Sequence, residues 1–173
     1  VEFISPRTVR IRAVSRFQVN PDRPSLMLVN GTVKQDRSGW KYEKIDGGHR
    51  YTSTVGSVTI MQSPWRIEIR DADGQLLTHT IHMQEDSETF TPLLPFSFVR
   101  RASDYSTSMA AVFRLSPNEK IFGCGESFTE FNKRGQKVVF YTDDANGTQN
   151  ETMYKPVPFY MSSRGYGVFI HTS

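Results

Sequence analysis

A single cysteine in 173 residues excludes an internal disulfide, so Cys124 cannot staple this chain, and its solitary presence leaves the working compartment open. No apolar run approaches the ~20 residues that a bilayer span requires, and a membrane is not expected as a partner. The arginine-bearing opening, VEFISPRTVRIRAVSRF, lacks a continuous apolar core ahead of a small-residue cleavage site, so it does not read as a signal peptide. Helical periodicity over a dozen residues is missing throughout. The four histidines, His49, His79, His82 and His171, show no zinc-ligand spacing, and His79 and His82, three apart, face opposite ways on a strand. Neither a metal nor a cofactor is expected. The positive charge is not concentrated where the loops are: residues 1–70 hold 12 Lys/Arg against 6 Asp/Glu, and residues 71–173 hold 9 against 12. A nucleic-acid partner needs a contiguous basic face and is not expected.

What is present is an ordinary globular composition with alternating short runs separated by turn residues. Val9, Ile11 and Ala13 alternate with arginines, which predicts a strand with one wet face. Ser25 to Val29, between Asn20–Pro24 and Asn30-Gly31, reads as a second strand. The segment between Gly31 and Gly48 is compatible with a hairpin or a long loop. Trp65, Ile67 and Ile69 alternate with charged residues, and Asp71-Ala72-Asp73-Gly74 then turns the chain into Leu76–Ile81, the clearest hairpin in the sequence. Residues 82–108 suggest a surface connection with one pairing strand. Further strands are predicted at Ala111–Leu115, Lys137–Tyr141, Phe159–Met161 and Tyr166–Ile170, the last two joined by Ser162-Ser163-Arg164-Gly165. The reading is all-β, an antiparallel sandwich or barrel in one domain spanning 1–173.

Chemistry-bearing residues crowd into Ile121–Ser173. Glycoside hydrolysis needs two carboxyl groups facing each other across a bond, about 5–5.5 Å apart for retention of configuration. The candidates are Glu126, Glu130, Asp143, Asp144 and Glu151. Asp143 and Asp144 are neighbours and point to opposite sides of an extended segment, so they do not form such a pair; a turn or solvated edge accounts for them equally well. Glu126 follows Gly123-Cys124-Gly125, where it can bind a hydroxyl or hold a loop. That GxG is not followed by an apolar helix, so it fails the context test for dinucleotide binding. Cys124 has no adjacent base to activate it and reads as packing. Phe128, Phe131, Tyr141, Tyr154, Phe159 and Tyr160 read mostly as core, with loop aromatics available to stack on a sugar.

The pieces Phe122-Gly123-Cys124-Gly125-Glu126, Asn132-Lys133-Arg134-Gly135-Gln136, Tyr141-Thr142-Asp143-Asp144, Tyr154–Met161 and Ser162–Phe169 fall in one order and spacing. Together they closely resemble the end of the N-terminal domain of glycoside hydrolase family 31, the α-glucosidases and α-xylosidases, and a weaker likeness extends upstream over nearly the whole chain. The resemblance implies a galactose-mutarotase-like β-sandwich that, in the family, precedes a (β/α)₈ barrel carrying the aspartate nucleophile and the aspartate acid/base. Neither aspartate has a counterpart here, so no catalytic residue is expected, and the chain is expected to be a fragment whose partners are its own downstream barrel and an oligo- or disaccharide. The resemblance also implies that the loop from Tyr141 to Tyr154 closes one side of the substrate pocket, with Asp144 best placed to meet a sugar hydroxyl and Asp143, Phe128 and Tyr154 as further binding candidates. The alternative is a free-standing carbohydrate-binding module using Trp40, Tyr42 or loop aromatics. An independent aldose epimerase is a poorer fit, because no histidine lies in 121–170.

Overall fold

The computed structural model describes residues 1–13, 24–29, 31–81, 95–143 and 153–171. Those residues are all-β: twelve strands pair antiparallel in four sheets, and no helix occurs among them. The chain groups into two compact units, Val1–Leu115 and Ser116–Ser173.

The first unit is organised by a five-stranded meander: β3 (Lys41–Ile45), β4 (Gly48–Thr52), β5 (Gly56–Gln62), β6 (Trp65–Asp71) and β7 (Leu76–His79), hydrogen-bonded in that order. Successive side chains point to opposite faces, so register sorts them. One face carries Tyr51, Val58 and Ile69 in register, with Ile60 opposite Ile67 beside them. Val58 and Ile67 are buried there. Phe3, buried on the strand β1 (Glu2–Ser5) that pairs with β2 (Thr8–Arg10), has its ring 4.7 Å from Tyr51 and 4.8 Å from Trp40. The opposite face carries the row Arg50, Thr59, Glu68 and His79. Arg66 and Arg70 flank Glu68 at 2.5 and 3.1 Å. The expected β6–β7 hairpin is present: Gly74 turns at φ +80°, and Asp71 accepts amide hydrogen bonds from Gly74 at its carbonyl and from Gln75 at Oδ1. The open segment before Gly48 resolves as the β3–β4 hairpin.

Several expected strands take other forms. Ser25–Val29 is a turn, because Ser25 Oγ accepts the Met27 amide and the Ser25 amide donates to Gly31 O; local bonding closes the segment before any strand can pair with it. Leu26 and Val29 are exposed as a result. The first alternating run ends at Arg10 rather than Ala13. Within 82–108, β8 (Phe96–Arg100) pairs with β9 (Thr107–Ala111), and Phe113, inside the strand expected at Ala111–Leu115, makes only an isolated bridge to Thr80. The expectation for 82–94 lies outside the described residues.

The second unit is a three-stranded sheet, β10 (Ile121–Ser127), β11 (Met153–Ser162) and β12 (Gly167–Phe169), with β11 central. The Ser162–Gly165 turn is as expected, with the Ser162 amide donating to Tyr166 O. β10 runs through Gly123-Cys124-Gly125, for which no strand was expected. Gly123, Cys124 and Gly125 all have positive φ (+106°, +71° and +91°) inside the strand, and the register slips there, Gly123 pairing with Tyr160 but Gly125 with Pro156. A Cβ on Gly125 would overlap the Lys155 carbonyl oxygen and lie 2.6 Å from the Val157 nitrogen, so the glycine is required by close backbone approach. Lys137–Tyr141, expected as a strand, has no ladder partner among the described residues, and its residues Val139, Phe140 and Tyr141 are exposed.

Candidate functional site

Three of the four sequence-picked binding residues meet at one backbone junction in the second unit. Met153 opens β11, is buried, and pairs with Ser127 at the end of β10. Thr142 makes a parallel bridge to the same residue, and the Asp143 amide donates to Met153 O at 3.1 Å. Phe128, Asp143 and Tyr154 each follow one of the three paired residues directly. The two stems of the 144–152 segment are therefore pinned together, which brings positions far apart in sequence to one sheet edge. Phe128 and Asp143 are exposed, as is Tyr141, at 71%. Asp144, with Glu151, lies outside the described residues.

Beneath the junction sits a cation that sequence reasoning left unassigned. Lys133 is only 9% exposed, and its ammonium donates to Ser127 Oγ (3.0 Å) and Thr129 Oγ1 (2.7 Å). It comes from the Asn132–Gln136 motif, whose remaining polar side chains bond to neighbouring backbone. Asn132 Oδ1 accepts the Ile121 and Arg134 amides, Arg134 donates to the Ser116 and Glu119 carbonyls, and Gln136 donates to the Asn132 carbonyl. The motif is a clip that holds a loop against β10, its polar groups spent on the fold rather than turned toward a ligand.

Among the described residues of this unit, the buried carboxylate is Glu119, 2% exposed, also unassigned from sequence. Oε1 accepts from Ser162 Oγ (2.5 Å) and Tyr166 OH (2.6 Å), and Oε2 accepts the Ser116 amide (2.6 Å). Burial pushes its pKa up, but these hydrogen bonds and the nearby Arg164 charge outweigh it, and the carboxyl is held below its ordinary value. The Tyr166 hydroxyl is pushed well above its ordinary value by burial and by donating to that anion. A carboxylate already accepting three hydrogen bonds is a structural hub. Cys124 is buried and its thiol is pushed up by desolvation, with the Lys133 charge opposing. That matches packing rather than nucleophilic use.

Of the other candidate carboxylates, Glu126 is exposed and faces Lys155 at 3.8 Å, and Glu130 is exposed. No group of three or more His, Cys, Asp or Glu positioned to hold a metal occurs among the described residues. In the first unit, Trp40 is taken up by the fold, its indole donating to Ser5 O. Tyr42 is exposed, its hydroxyl 3.0 Å from His49 Nδ1.

With this geometry in place, comparisons identify relatives. A family model described as the glycosyl hydrolase 31 N-terminal galactose mutarotase-like domain matches residues 1–173. An α-xylosidase of Emericella nidulans is 51% identical over 57 residues, covering 33% of this chain and 7% of that protein. An isomaltosyltransferase of Sporosarcina globispora is 26% identical over 160 residues, covering 92% and 14%. The crystal structure of an α-xylosidase from Xanthomonas citri superposes with a TM-score of 0.61 at 18% identity, covering 85% of this chain and 14% of that one, a likeness of fold. The chain thus spans a small fraction of the length of the proteins it matches.

Proposed function

Because the chain belongs to the glycosyl hydrolase 31 N-terminal galactose mutarotase-like domain family, with its antiparallel β-sandwich fold, we propose that it is the non-catalytic N-terminal domain of a retaining α-glycoside hydrolase. In this reading it supports a downstream (β/α)₈ barrel in the same polypeptide and lends the loop from Tyr141 to Tyr154 to the substrate pocket. The observation that carries the proposal is the family match over all of 1–173. The Emericella nidulans and Xanthomonas citri relatives are both α-xylosidases, so α-xylosides are the first substrates to assay, with α-glucosides beside them.

Asp144 is the proposed sugar contact; it follows Asp143 in the sequence, next to the backbone junction of Ser127, Thr142 and Met153. A charge-assisted hydrogen bond to a sugar hydroxyl contributes roughly 1.5–3 kcal/mol. In the full-length polypeptide, Asp144→Ala is expected to lower kcat/KM about 10- to 100-fold with an unchanged melting temperature. Asp143→Ala is the neighbour comparison: its side chain points the other way along an extended segment, so its loss of kcat/KM is expected to be smaller than that of Asp144→Ala. A lower melting temperature with unaltered kinetics for Asp144→Ala would assign that residue to the loop's structure and remove it from the pocket.

A further inference from the structure

The three-stranded sheet has one face that its own unit does not cover. Register places Phe122 opposite Met161, Met161 opposite Gly167, and Phe159 opposite Phe169, all on the same side. Ile121, Ser162, Tyr160 and Val168 take the other side, where Ile121 and Ser162 are buried. On the first side Phe159, Met161 (51%) and Phe169 are exposed, and Phe131 (78% exposed) lies with its ring 5.0 Å from Phe122. These aromatic and thioether side chains carry no charge. The solvated face of an antiparallel sheet is ordinarily polar, and contiguous exposed apolar surface marks an interaction site.

The chemistry of the face selects its occupant. A saccharide stacked on these rings would find no strong donor or acceptor on the five side chains to fix its orientation, which a built sugar site supplies. A transient protein partner is also a poor fit, since interfaces that must stand free in water are no more apolar than the rest of a surface. Permanent interfaces resemble a core cut in half. The proteins that this chain matches are long single polypeptides, of which it spans 7% of the Emericella nidulans α-xylosidase and 14% of the Xanthomonas citri α-xylosidase. We infer that the face formed by Phe122, Phe131, Phe159, Met161 and Phe169 is the surface on which the catalytic domain of the same polypeptide docks, permanently and through apolar contact. This rests on the reading that such a domain follows in the chain.

The test is the reactivity of an introduced thiol in two contexts. Met161→Cys, and separately Phe131→Cys, are labelled with a maleimide in the 173-residue chain and in the full-length polypeptide, and the modified peptide is quantified by mass spectrometry. Thr52→Cys, exposed on the polar face of the five-stranded sheet, is the control. Docking predicts that the thiols introduced at positions 161 and 131 are labelled at least about tenfold more slowly in the full-length protein, independently of its concentration, while the control thiol at position 52 reacts alike in both. Equal labelling of the two face positions in both contexts overturns the inference. So does protection that appears in the 173-residue chain and grows with concentration, which would make a second copy the occupant. Hydrolysis of aryl α-xyloside and α-glucoside by the same full-length variants separates this inference from the reading beneath it. Protection without activity retains a docked domain and removes the glycosidase assignment, whereas activity without protection removes the docking surface alone.

Discussion

The sheets β3–β7 and β10–β12 are both antiparallel and both bury apolar side chains, yet the faces turned away from those side chains differ in polarity. In the five-stranded sheet the interior side is apolar, with Val58 and Ile67 buried, and the other side carries Arg50, Glu68, Arg66 and Arg70 in ion pairs. In the second unit Ser162 of the three-stranded sheet and Glu119 and Lys133 beside it are buried along with Ile121, Cys124 and Met153, and the uncovered side of the sheet carries Phe159, Met161 and Phe169. The first arrangement follows from water on one side and a hydrophobic core on the other. The second is held by a hydrogen-bond hub and by backbone fit, and it suits a sheet whose outer face is meant for protein. The difference shows that membership of one fold family does not impose one source of stability on all its strands.

Two probes already in the sequence read the two units separately. Trp40 and Trp65, the only tryptophans, lie in the first unit, and Cys124, the only cysteine, is buried in the second. The largest effect is expected from Gly125→Ala, which places a methyl group against the β11 backbone at φ +91°. It should cost more than about 4 kcal/mol and expose Cys124 to thiol reagents, whereas Gly74→Ala, at φ +80° with open space around it, should cost about 1 kcal/mol. Equal losses at the two glycines would break the contrast between fit-dependent and fit-tolerant strands.

Glu119→Ala comes next, at about 3 kcal/mol, because it strands the Ser162 and Tyr166 hydroxyls and the Ser116 amide. The depressed carboxyl also fixes a pH dependence. Its folded form gives up the proton more readily than its unfolded form, so its contribution is fully present above the ordinary glutamate range and is lost as pH falls below about 4 through the folded pKa. The free energy of urea unfolding of the parent should fall over that acid window, and in Glu119→Gln this part of the fall should vanish. An unaltered acid profile in Glu119→Gln would contradict the assignment of the hub. The smallest effect belongs to Glu68→Gln on the polar face. Its side chain is partly exposed and shared between two arginines, so the melt followed by tryptophan fluorescence should lose no more than about 1 kcal/mol. A loss matching that of Glu119→Ala would show that charge stabilises both sheets alike.

The sequence made the β6–β7 and β11–β12 turns legible, because period-two alternation ends there in residues that favour turns, Asp71–Gly74 and Ser162–Gly165. It hid β10, since Gly123 and Gly125 weaken strand propensity and their need arises from the β11 backbone, a long-range fact. Alternation also misled at Lys137–Tyr141, where no neighbouring strand among the described residues supplies a ladder. Glu119, in a short Pro-Asn-Glu-Lys stretch, carries no local mark of burial; only the return of Ser162 and Tyr166 reveals it. For the candidate site, residue types suggested Phe128, Asp143 and Tyr154, but their meeting depends on Met153 pairing with two separate segments. Asn132–Gln136 was legible as a motif and not as a clip, because sequence does not tell which way its polar groups turn.

The central proposal is that this chain is part of a glycosidase without being its catalytic part. Turnover of aryl α-xyloside and α-glucoside by the purified 173-residue chain and by the full-length polypeptide, at equal molar concentration, tests it most directly. The account predicts hydrolysis by the full-length protein and none by the chain alone. Hydrolysis by the chain alone that survives purification and disappears in Asp144→Ala would contradict it.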